Sequence, residues 1–122
     1  MDDLPNRPAF CSQYHAAVEL IGSRWTGVIV RALLSGVTRF SDLSHCVPGL
    51  SDRMLSERLK ALEAEGIIER CVTPTTPVRI DYRLTEKGRA LGGVVDAISS
   101  WAHTWVEPPK AAGAKRRSRA SA

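Results

Sequence analysis

The chain is poor in the residues that most chemistry requires. It holds three cysteines, Cys11, Cys46 and Cys71, an odd number at wide spacing. That argues against the disulfide framework of a small secreted protein. Its histidines, His15, His45 and His103, do not cluster, there is no Cys-x-x-Cys, and the adjacent His45 and Cys46 point different ways on a helix. No metal and no cofactor are expected. There is no glycine-flanked nucleophile and no phosphate-binding glycine loop, so an enzyme is not expected either. No apolar run approaches membrane-spanning length. The opening Met1-Asp2-Asp3-Leu4-Pro5 carries acids where a secretory signal carries cations. The expected location is the cytoplasm, with no membrane partner.

Positive charge is also scarce where a fold can form. The net charge is +4, but residues 1–109 hold 12 Lys and Arg against 13 Asp and Glu, and the last 13 residues hold five cations and no acid. The basic balance therefore belongs to the tail, and any affinity for nucleic acid rests on where the other cations sit. A chain of 122 residues suffices for one domain with a single modest core.

One stretch organises that domain. Ser51 is a good N-cap, Asp52 suits the positive end of a helix dipole, and Gly66 can adopt the left-handed conformation that ends a helix. Between them Leu55, Leu59 and Leu62 fall in one narrow stripe on a wheel turning about 100° per residue. Arg53, Ser56, Glu57, Lys60 and Ala64 lie on the other side. Arg58 flanks the stripe and is expected to be part-buried and structural. After Gly66, Ile67–Thr73 is a β-rich run, Pro74-Thr75-Thr76-Pro77 a turn, and Val78–Leu84 a second run that alternates. The alternation puts Val78, Ile80, Tyr82 and Leu84 on one face. Arg79 falls near the hairpin tip, with Arg70 and Arg83 nearer its stem. Helix, glycine stop and basic ribbon outline a winged helix, in which the helix can enter a major groove and the ribbon can reach backbone or minor groove.

The rest fits around this unit. Residues 1–10 read as an arm. Ser12 is the expected cap of a helix to Ile21, with Tyr14, Val18 and Ile21 at helical spacing. Trp25 opens a second helix to Leu34 and serves as a core anchor, with Val28, Ile29, Ala32 and Leu33 buried. Arg39–Val47 forms a short third helix with Phe40, Leu43 and Cys46 inward, and Pro48-Gly49 turns the chain into the organising helix. Helix, tight turn and helix make a helix-turn-helix. Arg39, at the start of its first helix, is a candidate phosphate contact, the alternative being a salt bridge with Asp42 or Glu19. Thr85 caps a last helix whose Leu91, Val94, Val95, Ile98, Trp101, Ala102 and Trp105 form a stripe wide for one small domain; it would bury against a second copy, the alternative being a tail helix that folds back on its own domain. Residues 107–122 read as a disordered basic tail that would either add sequence-independent, salt-sensitive phosphate attraction or only aid solubility. The fold class is thus α+β, mainly helical: a winged helix-turn-helix domain over 11–106 with a two-stranded wing and flanking dimerisation helices.

These residues carry a resemblance. Cys11, Ile21-Gly22-Ser23-Arg24-Trp25-Thr26, Arg39-Phe40-Ser41-Asp42-Leu43, Val47-Pro48-Gly49-Leu50-Ser51, Arg53-Met54-Leu55-Ser56-Glu57-Arg58-Leu59, Glu65-Gly66 and Tyr82-Arg83-Leu84-Thr85-Glu86-Lys87-Gly88 follow one another in order. The chain resembles the HxlR-type winged-helix transcription regulators, relatives of the MarR group, over nearly the whole domain. The resemblance implies a cytoplasmic homodimer on palindromic operator DNA, with repression the expected sign. Ser51, Arg53, Ser56 and Lys60 would enter the major groove, Glu57 would either accept from a cytosine amine or hold Arg53, and Arg79 would contact backbone or minor groove. Tyr14, Val18, Val94, Ile98, Trp101 and Trp105 would form the dimer interface. A cysteine at the place of Cys11 senses oxidants or electrophiles in some family members. Here a thiolate would stand before a helix N-terminus, and Cys46 of the partner subunit is the first candidate for cross-linking. The competing reading of Cys11 and Cys46 is two small buried hydrophobes; Cys71 is read as packing. Two other functions compete: a winged-helix protein-interaction module that binds no DNA, and a thiol enzyme, for which Cys11 has no partnering base.

Overall fold

Three helices begin where a side chain replaces a missing carbonyl for an orphan amide. The computed structural model describes residues 7–109. In it, α1 (Ser12–Ile21) is capped by Cys11, whose Sγ accepts from the Tyr14 amide at 3.4 Å. α4 (Asp52–Ala64) is capped by Ser51, whose Oγ accepts from the Met54 amide at 3.1 Å. α5 (Glu86–Arg89) is capped by Thr85 through the Gly88 amide. The other helices are α2 (Thr26–Leu34), α3 (Phe40–Cys46) and α6 (Gly92–Trp105). β1 (Ile68–Thr73) and β2 (Arg79–Leu84) pair antiparallel, from Ile68 opposite Leu84 at the stem to Thr73 opposite Arg79 at the tip. The chain divides into two compact units between Gly92 and Gly93.

The first unit is a helix-turn-helix with a wing. Ile29, Val30, Leu43, Leu55, Leu59, Leu62, Ile67 and Ile68 are sealed from solvent and form its core. α4 reaches that core through the three leucines of its stripe, and Gly66, at φ 76°, ends it in the left-handed conformation glycine tolerates. The Thr85 hydroxyl donates to the Gly66 and Ile67 carbonyls, tying the end of α4 to the start of α5. In the second unit, α6 buries Val95 and exposes Val94, Ile98, Trp101 and Trp105.

The structure corrects several expectations. Cys11, not Ser12, caps α1; sulfur is a weak acceptor and stands outside the usual capping set. Trp25 is half-buried and precedes α2 with φ 75°, an outlying conformation for a bulky residue. Its ring lies beside Gly49 in the turn before α4, under the Arg24 guanidinium at 5.0 Å. Val28 is exposed and Val30 takes its place in the core. Cys46 is exposed, not inward. The last helix is two helices, broken between Arg89 and Gly92. In β2 the alternation fails: Val78 is exposed, Ile80 and Tyr82 are half-buried, and the buried residues are Asp81 and Leu84. Most of the arm read over 1–10 and of the tail read over 107–122 lies outside the described residues.

Candidate nucleic-acid interface

The side chains of α4 divide as its wheel demands. Leu55, Leu59 and Leu62 face the core, and Arg53, Ser56, Glu57 and Lys60 occupy an arc of about 100° elsewhere on the cylinder. The Arg53 side chain is 89% exposed, and its Nε donates to Glu57 Oε2 at 3.3 Å. Glu57 thus holds Arg53 while leaving its Nη groups for other acceptors. Lys60 is exposed and has no ion-pair partner among the described residues; Ser56 is half-buried. Ser51 spends an oxygen lone pair on its cap and keeps its O–H to donate. Arg58 is half-buried and donates from Nε to the Arg24 carbonyl at 3.0 Å, binding α4 to the turn before α2. That is the structural role expected for it.

α3 leads into this edge. Arg39 precedes its first residue, is exposed, and forms a salt bridge with neither Asp42 nor Glu19. Ser44 Oγ donates to Asp52 Oδ1 at 2.8 Å, fixing α3 to the first turn of α4.

The wing carries the only buried charge among the described residues. Asp81 accepts from Thr38 Oγ1 at 2.9 Å and from Arg79 Nε at 3.0 Å. The Arg79 hydrogen bond, then the Thr38 hydrogen bond, hold its carboxyl below the usual range against the opposing effect of burial. A lowered carboxylate pKa stabilises the fold above the unfolded value and loses that contribution as pH falls through the folded one. Asp81 and Thr38 were not singled out from sequence. The available signal was Arg79-x-Asp81: residues two apart on a strand share a face.

The remaining sequence candidates lie on other elements. Tyr14 and Val18 are exposed on α1. On α6, Val94, Ile98, Trp101 and Trp105 make one exposed stripe, the two tryptophans at 61% and 70%. Cys11 and Cys46 are free and exposed, and Cys71 is half-buried. No helix among the described residues is long and apolar enough to cross a membrane.

Known proteins share this arrangement. The profile of the HxlR-like helix-turn-helix family matches residues 20–110. The HTH-type transcriptional regulator YvaP of Bacillus subtilis is 48% identical over 103 residues, covering 84% of this chain and 95% of YvaP. YodB, an HTH-type transcriptional regulator of the same organism, is 44% identical over 98 residues, covering 80% and 88%. The solved reduced form of YodB superposes with a TM-score of 0.72 at 42% identity, over 83% of this chain and 99% of YodB. The redox regulator HypR in its oxidised form gives 0.73 at 30% identity, over 79% and 99%. These likenesses disfavour an interaction module without DNA and a thiol enzyme alike. A helix-turn-helix with a two-stranded wing, matched over most of its length by transcription regulators, places the chain in the HxlR-like helix-turn-helix family of transcriptional regulators, a family of DNA-binding proteins and not of enzymes.

Proposed function

We propose that two copies of this chain, joined through the apolar faces of α1 and α6, bind palindromic operator DNA in the cytoplasm and repress the promoter it overlaps. α4 enters the major groove with Ser51, Arg53, Ser56 and Lys60, Arg53 being the reader of a base edge and Glu57 its holder. Arg39 takes a phosphate ahead of α3, and Arg79 takes backbone or minor groove from the wing. The observation that carries this reading is the division of α4: its leucines are sealed while Arg53 stands 89% in solvent. The dimer is supported by the exposed stripe Val94, Ile98, Trp101 and Trp105, with Tyr14 and Val18 on α1. Closed twofold assembly is the commonest solution for such a face.

Cys11 gives the regulator its input. HypR is a redox regulator, and YodB has been solved reduced, diamide-treated and quinone-bound. In this chain both candidate thiols are exposed. Two-electron oxidation by diamide would join Cys11 Sγ to Cys46 Sγ of the partner subunit, both thiol hydrogens passing to the oxidant. With a quinone, the Cys11 thiolate would instead add to a ring carbon, and uptake of a proton would leave an S-linked hydroquinone.

Selection of bound duplexes from a random pool, with and without diamide, tests the whole reading. The expected product is an inverted repeat with half-sites about one helical turn apart, whose recovery changes with oxidant. No enrichment would overturn DNA recognition, unrepeated single sites would overturn the dimer, and an oxidant-blind result would overturn the role of Cys11.

A further inference from the structure

A buried carboxylate must find donors or lose its charge. Asp81, its side chain 4% exposed, finds two, and they come from different parts of the fold. Thr38 lies in the link between α2 and α3, 43 residues earlier, and gives Oδ1 its hydroxyl. The same Thr38 accepts the Tyr82 amide on its carbonyl at 2.8 Å. β2 is therefore clamped, by a side chain and by backbone, to the segment that leads into the helix-turn-helix.

The second donor is Arg79, in the outermost pair of the wing. Arg79 is half-exposed, at 52%, yet it is not loose. Its Nε is committed to Asp81 Oδ2, which leaves the Nη1 and Nη2 hydrogens as the donors still to be used. Binding a phosphate with a wandering arginine costs the rotamer freedom of a long side chain, and an arginine already held has lost much of it. The guanidinium is planar, so fixing Nε also fixes the plane in which the Nη groups point.

We infer that Asp81 is a positioning residue for DNA binding: through its bond to Arg79 it sets that guanidinium for a phosphate, while its bond to Thr38 serves the fold. The inference rests on the proposed contact between Arg79 and DNA. It has a sign that simple charge counting does not share. An acid near a phosphate repels it, so removing Asp81 should tighten binding on electrostatic grounds alone. Positioning requires the reverse.

The test uses the full-length protein and a mixed-sequence duplex long enough for two half-sites, because a phosphate contact is sequence-independent. Fluorescence anisotropy over a salt series compares wild type, Arg79→Ala, Asp81→Asn and the double variant. Arg79→Ala should weaken binding about tenfold at low salt and lower the salt slope by about one. Asp81→Asn keeps the shape and an acceptor for Thr38, and should weaken binding by several-fold, less than Arg79→Ala does because the guanidinium remains. In the Arg79→Ala background Asp81→Asn should cost nothing further. Thr38→Val, which leaves the Arg79 bond in place, should lower the melting temperature and change affinity by less than about twofold. On the wild type, the Arg79 Nε–H signal should be protected from exchange in free protein and stay protected when the duplex is added.

The failures separate. Wild type that does not bind the duplex removes the DNA-binding reading, and this inference with it. Full affinity in Arg79→Ala removes the contact on which the inference rests. Weak binding by Arg79→Ala with unchanged or tighter binding by Asp81→Asn overturns the positioning role alone. So does an equal loss from Asp81→Asn with and without Arg79, which marks a structural role. If Asp81→Asn does not fold, the wild-type Nε–H signal decides: fast exchange in free protein, or loss of protection on adding DNA, overturns the inference.

Discussion

α4 and α6 are almost equal in length, 13 and 14 residues, and each carries one apolar stripe. In α4 the stripe is sealed and the remaining surface holds Asp52, Arg53, Glu57, Lys60 and Glu63. In α6 the stripe is in solvent, and Asp96 is the only formally charged side chain in the helix. A helix so poor in charge is not built for water on most of its sides. Periodicity reports that an apolar face exists; the charge on the opposite side helps to report whether the same subunit can satisfy it.

That contrast can be broken or sharpened in four ways. The largest effect should come from Leu59→Ala in the sealed stripe, which should cost about 2–5 kcal/mol of unfolding free energy in a denaturant titration. A cost below 1 kcal/mol on the same scale would mean that α4 is not the core element described here. Next, Trp101→Ala in the open stripe should leave the first unit folded and weaken self-association by about 2 kcal/mol, read by sedimentation at several concentrations. Unaltered association would show that the stripe is not the seam between copies. Ser51→Ala should cost about 1 kcal/mol by removing the acceptor of the Met54 amide, again by denaturant titration, with self-association unchanged. Smallest, Glu57→Ala should cost about 0.3–0.5 kcal/mol of stability, since the pair it forms with Arg53 is exposed. A larger loss of stability would place that pair in the fold rather than on a reading edge.

Local signals explain most of what was legible in the sequence. The cap at Ser51, the leucine stripe, the stop at Gly66, the strand pair and Arg79 at its tip are all encoded within a few residues of where they act. The break between α5 and α6 also had a local sign, Gly92-Gly93, but the apolar periodicity running across it pointed to one continuous helix. What escaped depends on partners distant in the chain. Asp81 occupies a position the strand period assigns to solvent, and Thr38, brought from far upstream, joins the nearby Arg79 in satisfying it there. Cys46 has a helical phase that suggests burial, yet it is exposed at the last residue of α3, between the buried Leu43 and Val47. Within the site, the edge of α4 could be read from its wheel and the Arg79-x-Asp81 spacing was a local signal, whereas the clamp from Thr38 onto Asp81 could not be read without the fold.

The first helix starts at a sulfur atom. Cys11 Sγ receives the Tyr14 amide, so the atom available to an oxidant is also the fastener of the first turn of α1. In the proposed sensing role, an adduct or a cross-link there would leave the sulfur its two lone pairs but redirect its bonds, and would weaken the hydrogen bond from the Tyr14 amide. Tyr14 carries one of the exposed rings of the α1 face. A chemical event at one atom would therefore loosen the very turn that presents this ring, with no relay through the core between the two.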